Sequence, residues 1–215
     1  MQMGKTKVKV CGLTRKEEAE MLADCRVEFA GMVLFFPKSK RNVTLQQAEQ
    51  ILAALKKYGV SKSVAVTVSP TKEQVEQIMR LGFDYIQIHG ELSDDVYNAC
   101  SVRIIRAVNI KHQSEEDIYL ETKRWQSLDK IYGLLFDAGV PGSGKTFDWE
   151  SLKKADCGNK KLFLAGGLTP DNVKAAIEAV RPDVVDISSG VEYDDVSVKG
   201  KDESKVKAFI QNAKY

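Results

Sequence analysis

The sequence is poor in histidine and has no closely spaced cysteines. Two histidines and four cysteines (Cys11, Cys25, Cys100 and Cys157) occur in 215 residues, and no two cysteines form a CxxC pair. Structural zinc sites use four cysteine or histidine ligands at short, regular spacings. The composition therefore predicts no metal site. Scattered cysteines without a recognisable signal peptide also indicate a reducing compartment, so we expect the protein in the cytoplasm.

An excess of one charge and a long apolar run are also missing. The 32 basic residues nearly balance the 30 acidic ones, which leaves a net charge of +2. Such a balance predicts neither nucleic acid nor an anionic membrane surface as a partner. No apolar run approaches the roughly 20 residues of a membrane span. With 43% hydrophobic residues and no Pro/Gly/Ser-rich linker, we expect one domain over residues 1–215.

What the sequence does have is a regular alternation of two kinds of segment. Short runs rich in β-branched and apolar residues predict buried parallel strands, and the segments between them have helical periodicity. Eight such units in one short chain favour an α/β fold of the closed, parallel (β/α)8 TIM-barrel type over an open sheet. The predicted strands are Lys7–Cys11, Phe29–Phe35, Ser63–Val68, Tyr85–His89, Val102–Val108, Ile131–Asp137, Lys161–Ala165 and Val184–Ser188.

Local signals mark several helix starts. A threonine followed three residues later by Glu or Gln fits a capping box, in which the two side chains bind otherwise free backbone N–H groups. Thr169 precedes Pro170, and proline is favoured at the first helical position. The predicted capping boxes pair Thr14 with Glu17, Thr44 with Gln47 and Thr71 with Gln74.

Glycine-containing segments follow the last two predicted strands. Gly166 and Gly167 follow the seventh strand, and Ser188, Ser189 and Gly190 come at the end of the eighth. Glycine lets the backbone approach a phosphate closely, while backbone N–H groups and serine hydroxyls donate to its oxygens. TIM barrels frequently hold phosphate at these two loops. Each segment alone is equally typical of a tight turn, but together they favour a phosphate site.

A P-loop pattern follows the sixth predicted strand. Residues 139–146 match GxxxxGK[ST], with Gly144 and Lys145 at the conserved positions of that pattern. In a P-loop the helix starts directly after the Ser/Thr, whereas Phe147 follows here and Asp148 is typical of a later helix cap. We favour a flexible active-site loop over a nucleotide site, and both interpretations stay open at this point.

Cys11 and Asp137 end the first and sixth predicted strands. In a barrel, both side chains would point into the opening at the carboxyl ends of the strands. A thiolate is a competent base, and a carboxyl group serves as an acid when burial raises its pKa. Taken singly, a small buried cysteine and a turn aspartate are the simpler interpretations. Paired above a phosphate site, the two residues indicate acid–base catalysis.

Three further polar residues lie at strand ends. Arg41 follows the second strand and could pair with a substrate carboxylate, although a solvated surface arginine is the competing interpretation. His89 ends the fourth strand, where it would orient substrate or bind a backbone carbonyl. Asp186, two residues before Ser188, would bind a sugar hydroxyl or organise the phosphate loop.

Six segments together resemble one family closely. In order along the chain they are KVCGLT from Lys9, FPKSKRNV from Phe36, QIHG from Gln87, GSGKTFDW from Gly142, LAGGL from Leu164 and DISSGVE from Asp186. The set is similar to that of the phosphoribosylanthranilate isomerases of tryptophan biosynthesis. The resemblance implies an Amadori rearrangement of a phosphosugar substrate, with no metal or organic cofactor. It leaves open whether the chain is a monomer or a weak homodimer.

The resemblance also implies roles for individual residues. Asp137 would be the general acid, Cys11 the general base, and Arg41 the group that holds the anthranilate carboxylate. Two segments depart from the family pattern: Lys40 stands where proline is usual, and residues 67–70 lack an asparagine that is often present. The residues expected around the phosphate are Gly144, Gly166, Gly167, Ser188, Ser189 and Gly190.

Three rival functions remain to be weighed. A P-loop nucleotide hydrolase would use the segment at 139–146. A barrel that kept its phosphate site and lost catalysis would need neither Cys11 nor Asp137. The related isomerase of histidine biosynthesis acts on a substrate with two phosphates, but the cysteine motif and the lack of a second glycine site in the first half argue against it.

Overall fold

The structure is a computed structural model that describes residues 6–109, 115–137, 152 and 156–214. Its eight strands form a closed barrel in sequence order, and every neighbouring pair is parallel. The predicted (β/α)8 barrel is therefore confirmed. The strands are β1 (Lys7–Cys11), β2 (Phe29–Val33), β3 (Lys62–Val68), β4 (Tyr85–His89), β5 (Arg103–Asn109), β6 (Ile131–Asp137), β7 (Lys161–Ala165) and β8 (Val184–Ile187).

Helices connect the strands and cover the outside of the barrel. None of the helices in the described part of the chain is long and apolar enough to cross a membrane. The P-loop pattern at 139–146, with Gly144, lies outside the described residues. The helices are α1 (Glu17–Asp24), α2 (Leu45–Tyr58), α3 (Lys72–Leu81), α4 (Asp94–Ala99), α5 (Glu115–Gln126), α6 (Val173–Val180) and α7 (Glu203–Lys214), with a 3-10 turn at Ser189–Val191 after β8.

Two predicted strands end earlier than expected. β2 stops at Val33 rather than Phe35, because Phe35 has φ 57°, in the left-handed region that cannot continue an extended strand. β8 stops at Ile187 because Ser188, with φ −132° and ψ −81°, turns the chain out of the sheet. Both turns carry the chain from a strand into a loop at the carboxyl end of the barrel.

The capping boxes at Thr44 and Thr71 are confirmed, but the one at Thr14 is wrong. α1 begins at Glu17 without a side-chain cap, and the Glu18 carboxylate accepts the Thr14 backbone N–H at 2.7 Å. Glu18 thus takes over the N–H group that a capping side chain would otherwise satisfy.

The predicted helix start at Pro170 is also wrong, by one turn. α6 begins at Val173, and Pro170 lies in the turn before it. The Thr169 carbonyl accepts the backbone N–H groups of Asn172 and Val173 at 3.3 and 3.1 Å. This turn satisfies donors that the helix start would leave free.

Two apolar cores flank the sheet, one between the strands and the helices and the other inside the barrel. Four aromatic rings line the inner core near the amino ends of the strands, and we call them the floor: Phe29, Tyr85, Tyr132 and Phe163. Their ring centres lie 4.9 to 6.2 Å apart in edge-on or tilted contacts. Such contacts stabilise the packing beyond the area that the rings bury.

Candidate active site

The carboxyl ends of the strands open on a cavity of about 200 Å³ that we call the mouth. It brings together the sequence-predicted site residues of the described chain with one exception, Gly190. A larger cavity, of about 690 Å³, lies at the amino ends of the strands, away from these residues. The mouth is lined by Cys11, Val33, Arg41, Val66, Gln87, His89, Leu135, Asp137, Ala165, Gly166, Gly167, Leu168, Asp186, Ile187, Ser188 and Ser189.

The two predicted phosphate loops lie side by side at the edge of the mouth. Gly166 and Gly167 have φ 89° and 65°, values that favour glycine because L side chains are strained there. Gly190 packs behind the mouth, since a Cβ on it would lie 2.2 Å from the Leu168 carbonyl oxygen. Its missing side chain therefore lets the two loops touch, and a part in phosphate binding stays a prediction for it.

Ser188 joins the ends of β8 and β1. Its hydroxyl donates to the Cys11 carbonyl at 2.9 Å. The ammonium of Lys201, a buried residue that the sequence did not single out, donates to the Ser188 carbonyl at 3.1 Å. The Ser188 side chain therefore fixes the two strand ends relative to each other as well as lining the mouth.

A buried ion pair lies directly below Cys11. The Lys9 side chain is wholly buried, and its Nζ lies 2.7 Å from Asp186 Oδ2. Burial alone would lower the pKa of Lys9, but the neighbouring Asp186 and Cys11 raise it above its ordinary value. Asp186 Oδ1 is buried and has no hydrogen-bond partner among the described residues. Asp186 thus keeps one acceptor oxygen for a ligand.

Burial and neighbouring charges both affect the pKa of the Cys11 thiol. Burial raises its pKa above the ordinary value, while Lys9 and Lys201 act to lower it and Asp186 acts to raise it. Cys11 nevertheless lines the mouth and is only partly buried as a residue. It is therefore within reach of a ligand and of the cations below it.

His89 is neutral across the mouth from Cys11. Its Nε2 lies 2.8 Å from the Gln87 amide nitrogen, which donates to it. Burial lowers the pKa of His89 to about 4, although Asp137 opposes the shift. The electrostatic effect of Asp137 on His89 indicates that the two groups face each other over the cavity. A neutral imidazole can hydrogen-bond to a substrate without adding charge.

Arg41 is held at the rim of the mouth by Glu192. Arg41 Nε lies 2.5 Å from Glu192 Oε1, and Lys40 Nζ lies 2.8 Å from Oε2 of the same carboxylate. Burial would raise the pKa of Glu192, but hydrogen bonds from Arg41 and Lys40, with the charge of Lys201, hold it at about 2. Lys40 therefore takes part in orienting the loop that carries Arg41.

Gly12 makes room for Arg41. A Cβ on Gly12, whose φ is +85°, would lie 2.4 Å from Arg41 Cδ and 3.3 Å from Ser188 Oγ. Two features therefore favour glycine after Cys11: the positive φ of its backbone, and the aliphatic part of the Arg41 side chain that packs against it.

Four residues near the site were missed by sequence reasoning: Lys9, Gln87, Glu192 and Lys201. Two of them could have been predicted from their spacing in the sequence. Lys9 and Gln87 stand two positions before Cys11 and His89 on buried strands, and a period of two puts them on the same inner face. Glu192 and Lys201 meet through an isolated antiparallel bridge between loops, which no local pattern predicts.

No group of three His, Cys, Asp or Glu side chains that could hold a metal ion occurs within the residues that the structure describes. The chemistry available at the mouth is that of a thiol, two carboxyl groups, a neutral imidazole, an arginine and two glycine-containing loops. The fold and the mouth define a (β/α)8-barrel protein whose site lies at the carboxyl ends of its strands, where barrel enzymes have their active sites.

Comparison with known proteins gives the family. A family model described as N-(5′-phosphoribosyl)anthranilate (PRA) isomerase matches residues 8–212. The chain therefore belongs to the N-(5′-phosphoribosyl)anthranilate isomerase family, and it is an isomerase of tryptophan biosynthesis. The resemblance read from the six sequence segments is thereby confirmed.

Individual relatives agree with this family. A protein of that name from Streptococcus mutans is 40% identical over 210 residues, with 97% of this chain and 99% of that protein covered. The Thermotoga maritima crystal structure is 33% identical, with a TM-score of 0.81 and coverage of 97% and 98%. Another isomerase structure, 30% identical with a TM-score of 0.77 and coverage of 97% and 98%, contains reduced 1-(o-carboxyphenylamino)-1-deoxyribulose 5-phosphate.

Proposed function

We propose that this isomerase converts N-(5′-phosphoribosyl)anthranilate to 1-(2-carboxyphenylamino)-1-deoxyribulose 5-phosphate by general acid–base catalysis. The observation that carries the proposal is the placement of Cys11 and Asp137 around one cavity, at the ends of β1 and β6. The complex of a related isomerase with a reduced form of the ketose supports the same ligand class.

The two groups divide the proton transfers between them. Asp137 protonates the ribose ring oxygen, and the ring opens to a Schiff base between C1′ and the anthranilate nitrogen. Cys11, as the thiolate, takes the proton from C2′, and the electrons of that C–H bond move to give an enolamine. The enolamine tautomerises to the ketone. Acid and base groups placed on rigid strands contribute about 10²- to 10⁴-fold each to such a reaction.

The rest of the mouth binds and orients the substrate. Arg41 pairs with the anthranilate carboxylate, and its guanidinium is already held in place by Glu192. Oδ1 of Asp186 accepts a hydrogen bond from a sugar hydroxyl, and neutral His89, whose Nε2 accepts from Gln87, donates one hydrogen bond from Nδ1. The phosphate is held at Gly166, Gly167, Ser188, Ser189 and Gly190, joined by Gly144 from the sequence segment that follows β6. Remote binding of this kind positions the reacting carbon.

The proposal includes the setting in which the enzyme works. The reaction needs no metal or organic cofactor, because each step is a proton transfer within reach of a side chain. The substrate is a small phosphosugar, with neither nucleic acid nor membrane as a partner. We place the enzyme in the cytoplasm as a monomer or weak homodimer.

A direct assay tests the proposed reaction. Freshly generated phosphoribosylanthranilate is fluorescent, and its consumption is followed with wild-type protein, Cys11→Ser and Asp137→Asn. Cys25→Ser is the matched control, because it makes the same chemical change at the end of α1, outside the mouth. We expect fast consumption by wild type and by the control, and loss of kcat by about 10²-fold or more in the two mouth variants.

Either of two results would sink the proposal. One is the absence of turnover by folded wild-type protein. The other is wild-type turnover in both Cys11→Ser and Asp137→Asn, which would show that the acid and base lie elsewhere.

A further inference from the structure

Lys9 is the cation placed nearest to Cys11 along the chain. Both side chains lie on the inner face of β1, two residues apart, and Lys9 is wholly buried beneath the mouth. Its ammonium is fixed by Asp186 Oδ2 at 2.7 Å. An ammonium with no access to water and one ion-pair partner has a defined position, unlike a surface lysine.

Gly31, on the neighbouring strand β2, opens the space in which Lys9 and Cys11 meet. A Cβ built on it would lie 3.0 Å from Cys11 Sγ and 3.1 Å from Lys9 Nζ. Gly31 pairs with Cys11 in the sheet and has no positive φ, so its backbone does not demand glycine. A side chain at this position would crowd both groups, and the sulfur and the ammonium would have to give by a few tenths of an ångström.

The charges around Cys11 come from several elements. Lys9 approaches from β1, Asp186 from β8 and Lys201 from the segment after the 3-10 turn. Lys201 is already bound to the Ser188 carbonyl and lies 3.3 Å from Glu192 Oε1. Asp137, Arg41 and the neutral His89 face Cys11 across the mouth.

Burial and the neighbouring cation have opposite effects on the thiolate form of Cys11, which is the form that acts as a base. Burial disfavours the thiolate and raises the pKa of Cys11. A fixed cation beside the sulfur acts in the opposite direction, since it stabilises the thiolate. A buried Lys–Asp pair is by itself weak evidence for stability, because removing both charges from water costs about as much as their attraction returns.

We propose that Lys9 is a positioning residue that stabilises the thiolate form of Cys11. Asp186 holds the Lys9 ammonium in place, and Gly31 leaves room for it beside the sulfur. The use of that thiolate as a base rests on the proposed function. The electrostatic coupling of Lys9 to Cys11 does not rest on the proposed function, because it exists in the protein without substrate.

The test measures the pKa of Cys11 in the free protein. Iodoacetamide reacts with the thiolate, so the rate of Cys11 alkylation is followed across pH by mass spectrometry of its peptide. The variants are Lys9→Met and Lys9→Gln, both neutral. The control is Lys7→Met, which removes the same charge two residues earlier on β1, where the side chain is exposed. Peptide mapping separates Cys11 from the other three cysteines.

We expect the Cys11 pKa to rise by about one unit or more in both Lys9 variants, and alkylation at pH 7.5 to slow about tenfold. Lys7→Met should match wild type. In turnover, the rising limb of kcat/KM against pH should move to higher pH by the same amount. A role in packing alone would lower the protein's stability without moving either pH profile.

Lys9→Gln keeps the test decisive if Lys9→Met does not fold, because the glutamine amide can still donate to Asp186. An unchanged Cys11 pKa in folded Lys9→Gln would overturn the proposal. The outcome is distinguishable from failure of the proposed function. If Cys11→Ser retains full turnover while Lys9→Gln shifts the thiol pKa, the coupling stands and the base assignment falls.

Discussion

The floor and the mouth both lie inside the barrel, but aromatic rings form the floor whereas polar side chains line the mouth. At the floor, Phe29, Tyr85, Tyr132 and Phe163 contact one another through their rings. At the mouth, a few residues further along the strands, the inner positions carry a thiol, carboxyl groups and an imidazole. Strand β4 shows the change within five residues, from Tyr85 through Gln87 to His89.

This difference separates stability from chemistry. Burial of aromatic rings stabilises the barrel, whereas a buried ion pair such as Lys9–Asp186 contributes little net stability for the desolvation it requires. Polar groups kept inside a core without a stability gain are typical of active sites. The floor therefore contributes to the stability of the barrel, whereas the polar residues at the mouth serve the reaction.

The largest effect on stability is expected at the floor. Phe163→Ala removes a fully buried ring that contacts Phe29 and Tyr132. We expect the free energy of unfolding to fall by about 3–5 kcal/mol, measured by urea denaturation. The kcat of the protein that remains folded should stay close to that of wild type. Unchanged stability would show that these four rings do not form a packing centre.

A smaller effect is expected at the rim of the mouth. Arg41→Gln removes the proposed carboxylate partner, and we expect kcat/KM to fall about 10- to 100-fold, as for loss of hydrogen bonds to a charged group. Lys38→Gln is the control, since it removes a positive charge from an exposed position three residues before Arg41. Steady-state kinetics should show little change in the control. Equal losses in both variants would mean that general rim charge, not Arg41, binds the substrate.

At neutral pH the smallest effect is expected from His89, whose contribution to stability appears only as the pH is lowered. Burial holds its pKa at about 4, below its ordinary value of 6.5, so between these values the unfolded chain binds a proton that the folded protein does not. Stability from this group therefore falls as the pH drops from 6.5 towards 4. His89→Asn should flatten that part of the curve of unfolding free energy against pH. Parallel curves for the variant and wild type would contradict the low pKa.

The sequence predicted the chemistry at the strand ends better than the support beneath it. Cys11, His89, Asp137 and Asp186 were identified because strand ends in a barrel converge on one opening, and all four line the mouth. Lys9 could have been found from its period-two spacing to Cys11. A lysine within a strand is usually read as an exposed position, so its burial needed the closed barrel.

Loop contacts were beyond prediction. Glu192 meets Arg41 across 151 residues of sequence, and no local pattern encodes that approach. The space at Gly31 likewise depends on how β2 lies against β1. Helix starts failed where a neighbouring side chain took over the cap, as Glu18 does for Thr14.

The most direct test of the central claim measures stability and turnover on the same two variants, Asp137→Asn at the mouth and Phe163→Leu at the floor. We predict that Asp137→Asn loses kcat by about 10²- to 10⁴-fold while its unfolding free energy is kept or raised. Phe163→Leu should lose about 1–3 kcal/mol of stability and keep its kcat. Wild-type turnover by Asp137→Asn, or a comparable loss of kcat in a fully stable Phe163→Leu, would contradict the account.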